Sequence, residues 1–210
     1  MRKPLIACLS GDMHSFIGAA RILKQGFNVT HALFVAYGQD AEIQAEQKAR
    51  AQAEFLGLQY VAVEASLDTI AGIIPWEHDE VELTTDTLFK ELYIGTVAAQ
   101  VATRLDMTGF MLGSHNAVGK SGVQCRAFQK AMIDTLIAQT DDLWTIFLPW
   151  AEIDSEDIIN IGYDKLMLPV AELTWSCITE CSEIHCGTCE GCKRRQKLLE
   201  PLDTTEYLED

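Results

Sequence analysis

Short apolar runs and amphipathic stretches alternate along the first two thirds of the chain. Pro4–Ser10 is an apolar run closed by Ser-Gly-Asp, which predicts a buried strand. Phe16, Ala19, Ala20 and Leu23 recur at helical spacing across Ser15–Gln25, and Gly26 is placed to end that helix. Val29–Tyr37 predicts a second buried strand. Ala41–Leu56 predicts a polar-faced helix stopped at Gly57, and Gln59–Glu64 alternates as a third strand. A β-α-β-α-β order needs crossover connections, so the expected fold is α/β, a parallel sheet with helices on both faces.

Beyond that core, Ser66–Asp86 is irregular, with Pro75-Trp76 and several acids, and reads as a mobile insertion. Helical spacing returns over Thr87–Leu105. Gly109–Gly113 predicts a fourth strand, followed by a long loop (SHNAVGKSGVQ), a helix over Cys125–Gln139 and a fifth strand at Leu143–Leu148. Asp154-Ser155 can cap a helix over Glu156–Leu166. A cysteine-rich segment, a basic helical stretch (KRRQKLL) and an acidic end complete the chain. The expected organisation is one domain over 1–170 with a small tail over 171–210.

Composition narrows the partners. The chain has 210 residues, 48% of them hydrophobic, and a formal net charge of −15. Such a surface repels nucleic acid and anionic membrane, but a helix N-terminus can still hold a small anion locally. No apolar run reaches the roughly 18 residues of a membrane span. The start, MRKPLIACLSGD, is too short in its apolar part for a signal peptide, so a cytoplasmic protein is expected.

Five of the seven cysteines fall within residues 177–192, an odd, crowded set that suits a metal rather than a disulfide framework. Cys177, Cys186, Cys189 and Cys192 have the spacing C-x8-C-x2-C-x2-C. Four thiolates make a closed tetrahedral zinc site, one structural ion per chain. Gly187 and Gly191 are expected at positive φ inside the two tight turns. Lys193, Arg194 and Arg195 can offset the negative charge, Cys181 is the spare thiol, and His185 is either a hydrogen-bonding neighbour of a ligand or merely adjacent.

Ser10-Gly11-Asp12-Met13-His14-Ser15 follows the first strand and opens a helix, the place where such sheets bind ligands. Backbone N–H groups there, with the hydroxyls of Ser10 and Ser15, can cradle phosphate, although such a turn is often only a turn. His14 can act as a general base or metal ligand oriented by Asp12, or be an ordinary surface residue.

Taken together these segments resemble the 7-cyano-7-deazaguanine (preQ0) synthase family of the queuosine pathway, within the ATP-pyrophosphatase superfamily. LSGDMHS stands where that family has its SGGxDS pyrophosphate loop. Tyr37-Gly38-Gln39 with the helix after it is similar to the YGQ motif. MLGSHNAVGKSGVQCRAFQKAM also aligns, and TWSCITECSEIHCGTCEGCKRRQ is similar to the zinc segment. The resemblance implies a Rossmann-like (adenine nucleotide alpha hydrolase-like) sheet. It implies ATP with magnesium held at Ser10, Gly11, Asp12, His14, Ser15, Tyr37, Gly38 and Gln39. Catalytic roles fall on Asp12, His14 and Lys90, and substrate contacts on Gly113, Asn116, Lys120 and Arg126. It implies a homodimer that converts 7-carboxy-7-deazaguanine, with ATP and ammonia, to the 7-amido and then the 7-cyano compound.

The departures fall on the chemistry. The family's second loop glycine is Asp12 here, and its loop aspartate is His14, a poor magnesium ligand because hard cations prefer oxygen. Its Pro-Gly-Arg-Asn segment aligns with Leu88-Phe89-Lys90-Glu91. Its acidic and aromatic substrate positions fall on Val118, Gly122 and Gln124, with Lys120 new to the loop. A diverged ATP-dependent enzyme, which stops at the amide or reaches the nitrile, is the leading expectation. A nucleotide- or deazaguanine-binding accessory protein on the same scaffold is the second. A hydrolytic metal site at His14 and Asp12 is the third.

Overall fold

A computed structural model describes residues 4–39, 41–65, 90–113, 122–179 and 183–208. Five strands, β1 (Leu5–Cys8), β2 (Val29–Ala36), β3 (Gln59–Glu64), β4 (Gly109–Met111) and β5 (Thr145–Phe147), form one sheet in the order β3-β2-β1-β4-β5. Every pairing is parallel. The α/β fold expected from the alternation is the one observed.

Helices α1 (Met13–Lys24) and α2 (Glu42–Phe55) bury Ala19, Ile22, Ala49 and Ala53 against one face of the sheet, on Leu5, Ala7, Ala32 and Phe34. Helices α3 (Lys90–Arg104) and α4 (Gly122–Thr140) cover the other face, where Ala98, Ala102 and Met132 meet Ile6, Leu33 and Phe110. The period-2 alternation of β1 therefore sends neighbouring residues to opposite cores. α1 and α2 end at the predicted glycines, Gly26 at φ +81° and Gly57 at φ +69°. α4 starts three residues before the expected Cys125.

After β5 come α5 (Ser155–Asn160), one π-helical turn (Ile161–Lys165), the short α6 (Val170–Leu173) and α7 (Glu190–Leu199). A single α-helix was expected over Glu156–Leu166. Instead the chain widens where Gly162 passes Ile17, since a Cβ there would meet Ile17 Cδ1 at 2.8 Å. Asp154 stands at the N-cap of α5 without a side-chain capping bond. These segments return to the outer side of α1, where Phe16, Ile17, Trp150, Ile158, Val170 and Leu199 share a core. The irregular stretch 66–86, the tip of the long loop with Asn116 and Lys120, and Cys181 lie outside the described residues. No helix among the described residues is long and apolar enough to cross a membrane.

The strand order reverses between β1 and β4. In open parallel sheets the crevice for ligands lies at that reversal, beyond the carboxyl ends of the strands.

Candidate functional site

The turn after β1 lies at this crevice. Asp12 is the N-cap of α1, and its Oδ1 accepts the Ser15 N–H at 2.8 Å. Ser10 donates its hydroxyl to Ser15 Oγ at 3.0 Å and its backbone N–H to the same oxygen at 3.1 Å. Burial pushes the Asp12 carboxyl up. The charge of His14 and hydrogen bonds from Ser15 and Ser10 outweigh it and hold the group below its ordinary value of 3.8. The carboxylate is thus an anion seated on a helix N-terminus, where the helix dipole favours it.

Gly11 is required twice. Its φ is +78°, and a Cβ there would lie 2.3 Å from the carbonyl oxygen of Ala45 in α2. Gly113, after β4, closes the other side, since a Cβ on it would meet Ser15 Cα at 2.7 Å. Ser10, Gly11, Asp12, Ser15 and Gly113 therefore come together as one narrow loop site. His14 is buried, only 7% exposed, so it is not the surface residue that its place at a helix start allowed. Its carbonyl accepts the indole N–H of Trp150 at 2.8 Å.

The second predicted motif forms its own turn beyond β2. The Tyr37 N–H donates to Gln39 Oε1 at 2.8 Å, and Gln39 Nε2 returns a bond to the Val35 carbonyl at 3.2 Å. Gly38, at φ +85°, donates to Glu42 Oε2 at 2.9 Å. Lys90, at the start of α3, places Nζ 5.4 Å from the centre of the Tyr37 ring, a cation–π distance. Tyr37 and Lys90 are thus neighbours. Arg126 stands apart from that pair, exposed on α4 and ion-paired with Glu152.

Three residues of the site were not singled out in the sequence, although Gln52 lies in the helix after Tyr37-Gly38-Gln39 and Trp175 in the cysteine-rich segment. Gln52, Trp150 and Trp175 each hold a backbone carbonyl of the first loop. Gln52 had a signal: it is the polar member of an apolar stripe with Ala45, Ala49, Ala53 and Leu56. Trp150 had a weaker one, as an aromatic residue just past the last strand.

In the tail, the sulfurs of Cys177, Cys186, Cys189 and Cys192 all lie within 4.8 Å of one another, a cluster that could hold a metal ion. Cys186 and Cys192 are 3.8 Å apart, and Cys189 and Cys177 3.9 Å. Four sulfurs at about 2.3 Å from one tetrahedral ion would be about 3.8 Å apart. The Cys189 N–H points to Cys186 Sγ at 3.3 Å and the Cys192 N–H to Cys189 Sγ at 3.4 Å, as thiolates require. A hydrogen bond from Thr179 and the Cys189 N–H bring the Cys186 thiol down to about 5, whereas burial pushes Cys192 up.

Gly187 has the expected positive φ, +76°, but Gly191 does not share that role. It lies in α7, and a Cβ on it would overlap the Ser176 carbonyl oxygen at 1.9 Å, so it is small for close approach. Arg195 is fully buried and fans its guanidinium to Thr205, Thr174, Ser176 and the Ala171 carbonyl. His185 is buried between Trp175 and Tyr207, with Nε2 accepting the Ser176 N–H at 3.3 Å. Burial and the charges of Arg195 and Lys48 bring its pKa down to about 4, so the ring is neutral at pH 7.

The family model described as "Queuosine biosynthesis protein QueC" matches residues 4–202. A 7-cyano-7-deazaguanine synthase of Halobacterium salinarum is 27% identical over 225 residues, covering 99% of this chain and 96% of the relative. The enzyme of the same name from Methanothrix thermoacetophila is 26% identical over 235 residues, with 99% of both chains covered. Among solved structures, the U34-tRNA thiolase NcsA of Methanococcus maripaludis, with its [4Fe-4S] cluster, superposes with a TM-score of 0.54 at 15% identity. It covers 95% of this chain and 67% of that one. NMN synthetase from Francisella tularensis gives a TM-score of 0.51 at 15% identity, covering 83% and 66%. At that identity both speak for the fold alone.

Proposed function

The chain belongs to the queuosine biosynthesis protein QueC family, and we propose that it is an ATP-dependent synthase acting on 7-carboxy-7-deazaguanine. The observation that carries this reading is the paired closure of Gly11 on Ala45 and Gly113 on Ser15 at the sheet's reversal point. That narrow turn sets the N-terminus of α1 beside the reversal point, the place where sheets of this kind hold phosphate groups.

The chemistry follows from a poor leaving group. The substrate carboxylate oxygen attacks the α-phosphorus of ATP, the bond to pyrophosphate breaks, and an acyl-adenylate forms. Ammonia then attacks the acyl carbon, AMP leaves, the nitrogen gives up one proton and the amide results. A second ATP activates the amide oxygen in the same way, and loss of AMP with two protons leaves the nitrile. The protein's part is alignment, charge neutralisation and exclusion of water.

In this reading a bound phosphate takes over the hydroxyl protons that Ser10 gives to Ser15 Oγ and Ser15 to the Asp12 carbonyl, and Lys90 neutralises the leaving pyrophosphate. The Tyr37-Gly38-Gln39 turn walls the adenosine. Asp12 would offer its carboxylate to magnesium, and oxygen suits that ion better than the imidazole of His14. Gly113 and Arg126 border the deazaguanine in this reading; Asn116 and Lys120, given the same role by the resemblance, lie outside the described residues.

The four-cysteine cluster is read as one structural zinc per chain. Sulfurs this close suit a single ion, because a cubane binds each thiolate to a different iron and spreads them apart. The unit 1–170 with the tail 171–210, the homodimer and the absence of a nucleic-acid partner belong to the same proposal.

The test is to incubate the protein with the carboxy compound, ATP, Mg²⁺ and ammonium, and to weigh the products. Amide or nitrile with AMP supports the reading. Calorimetry showing no ATP·Mg²⁺ binding, together with no product, would replace it with the accessory-protein reading.

A further inference from the structure

Gln52 lies in the last turn of α2 and is fully buried. Its Nε2 donates to two carbonyls far apart in sequence, Leu173 at 2.8 Å and Asp12 at 3.4 Å. The Asp12 carbonyl is also where α1 begins, accepting Phe16 N–H at 3.4 Å and Ser15 Oγ at 3.3 Å. The other end of the amide, Oε1, is buried with no hydrogen-bond partner among the described residues. Burying an unpaired acceptor is costly. A residue chosen for core stability alone would be apolar here, as its stripe neighbours Ala49 and Ala53 are. The two donated bonds are what the amide supplies.

Those bonds join the loop to the metal-binding tail. Leu173 leads into Thr174, whose Oγ1 accepts Arg195 at 2.8 Å, and Arg195 stands one turn beyond Cys192 in α7. Trp175 donates its backbone N–H to the Gly11 carbonyl at 2.9 Å, and Ser176 presents its carbonyl to Gly191. Each link is a direct contact, and the cysteine cluster supports the far end.

We propose that Gln52 is a positioning residue that ties the first loop to the cysteine-held tail, so that metal at the cluster and ligand at the loop are coupled. Coupling of this kind is reciprocal: what firms one site firms the other. The ligand half rests on the proposed function, because it takes the loop as the nucleotide site. The loop half rests on the hydrogen bonds alone.

The test uses full-length Gln52→Met, which keeps the length of the side chain and removes its donors, beside the wild type. Backbone amide exchange is followed at residues 10–16, with α3 as an internal control. ATP·Mg²⁺ affinity is taken by calorimetry and zinc release by a chromophoric chelator. The expected result is at least tenfold faster exchange at 10–16 with α3 unchanged, about tenfold weaker nucleotide binding and faster zinc release. Removing zinc from the wild type should loosen 10–16 in the same way. Unchanged exchange at 10–16 in a folded Gln52→Met protein overturns the proposal, as does equal acceleration everywhere, which marks a merely structural residue. A wild type that binds no ATP sinks the functional reading instead, and the exchange result still decides the role of Gln52.

Discussion

Trp175 donates its backbone N–H to the carbonyl oxygen of Gly11 across 2.9 Å, and its indole N–H to the carbonyl of Cys177, also at 2.9 Å. One residue therefore touches both the loop at the head of α1 and the first cysteine of the cluster. Most of what can be tested in this protein lies along that line.

Gly11→Ala should be among the most damaging single methyl additions. The left-handed backbone costs roughly 1–2 kcal/mol for an L-residue, and overpacking against the Ala45 carbonyl adds roughly 1–3 kcal/mol. A urea melt should show a loss of about 2–5 kcal/mol. A loss below about 1 kcal/mol would mean that the loop moves aside without resistance.

Metal removal should weaken the tail before the sheet. Cys192 is fully buried, and Cys192→Ser should lower zinc content from about one per chain. With free zinc at about 1,000 times its Kd, binding contributes about 4 kcal/mol. At about 2–4 °C per kcal/mol for a chain of this size, the melting midpoint falls by roughly 8–16 °C. Elemental analysis beside calorimetry checks both; an unchanged midpoint in a zinc-free variant would remove the structural role.

Asp12 predicts an acid limb. Its folded pKa lies below 3.8, so its contribution is fully present above that value and is lost as pH falls through the lower folded value. Asparagine caps as well as aspartate, whereas alanine costs about 1 kcal/mol. Asp12→Ala should therefore be less stable at pH 7. Asp12→Asn should lose less stability than the wild type between pH 7 and pH 3. Parallel acid limbs for wild type and Asp12→Asn would contradict the shift.

Cys8 predicts the opposite limb. Burial raises its thiol from 9.0 to about 12. Its contribution is present below about pH 9 and is lost as pH rises toward 12. At pH 10.5 the wild type should have given up about 2 kcal/mol more than Cys8→Ala, relative to pH 8. Mass-resolved labelling with iodoacetamide at pH 8 should leave Cys8 unmodified until the protein unfolds; rapid native labelling would show that the strand is open to solvent.

The sequence by itself determined the elements and the chemistry of the tail. Apolar runs of strand length, helical spacings and stops at Gly26 and Gly57 are local properties, set by side-chain period and by glycine's access to positive φ. The cysteine spacing is local too, and it brought together the four sulfurs that cluster. Only the tertiary structure decided the order β3-β2-β1-β4-β5, and with it which loops meet. It put Gly113 against Ser15, gave Gln52 partners 40 and 121 residues away, and set Trp150 on a carbonyl 136 residues earlier. It also changed the meaning of Gly191 from a turn residue to a point of close approach. Local propensity fixes what a segment is. Which buried donor meets which distant carbonyl depends on how the helices pack on the sheet, and no spacing along the chain records that.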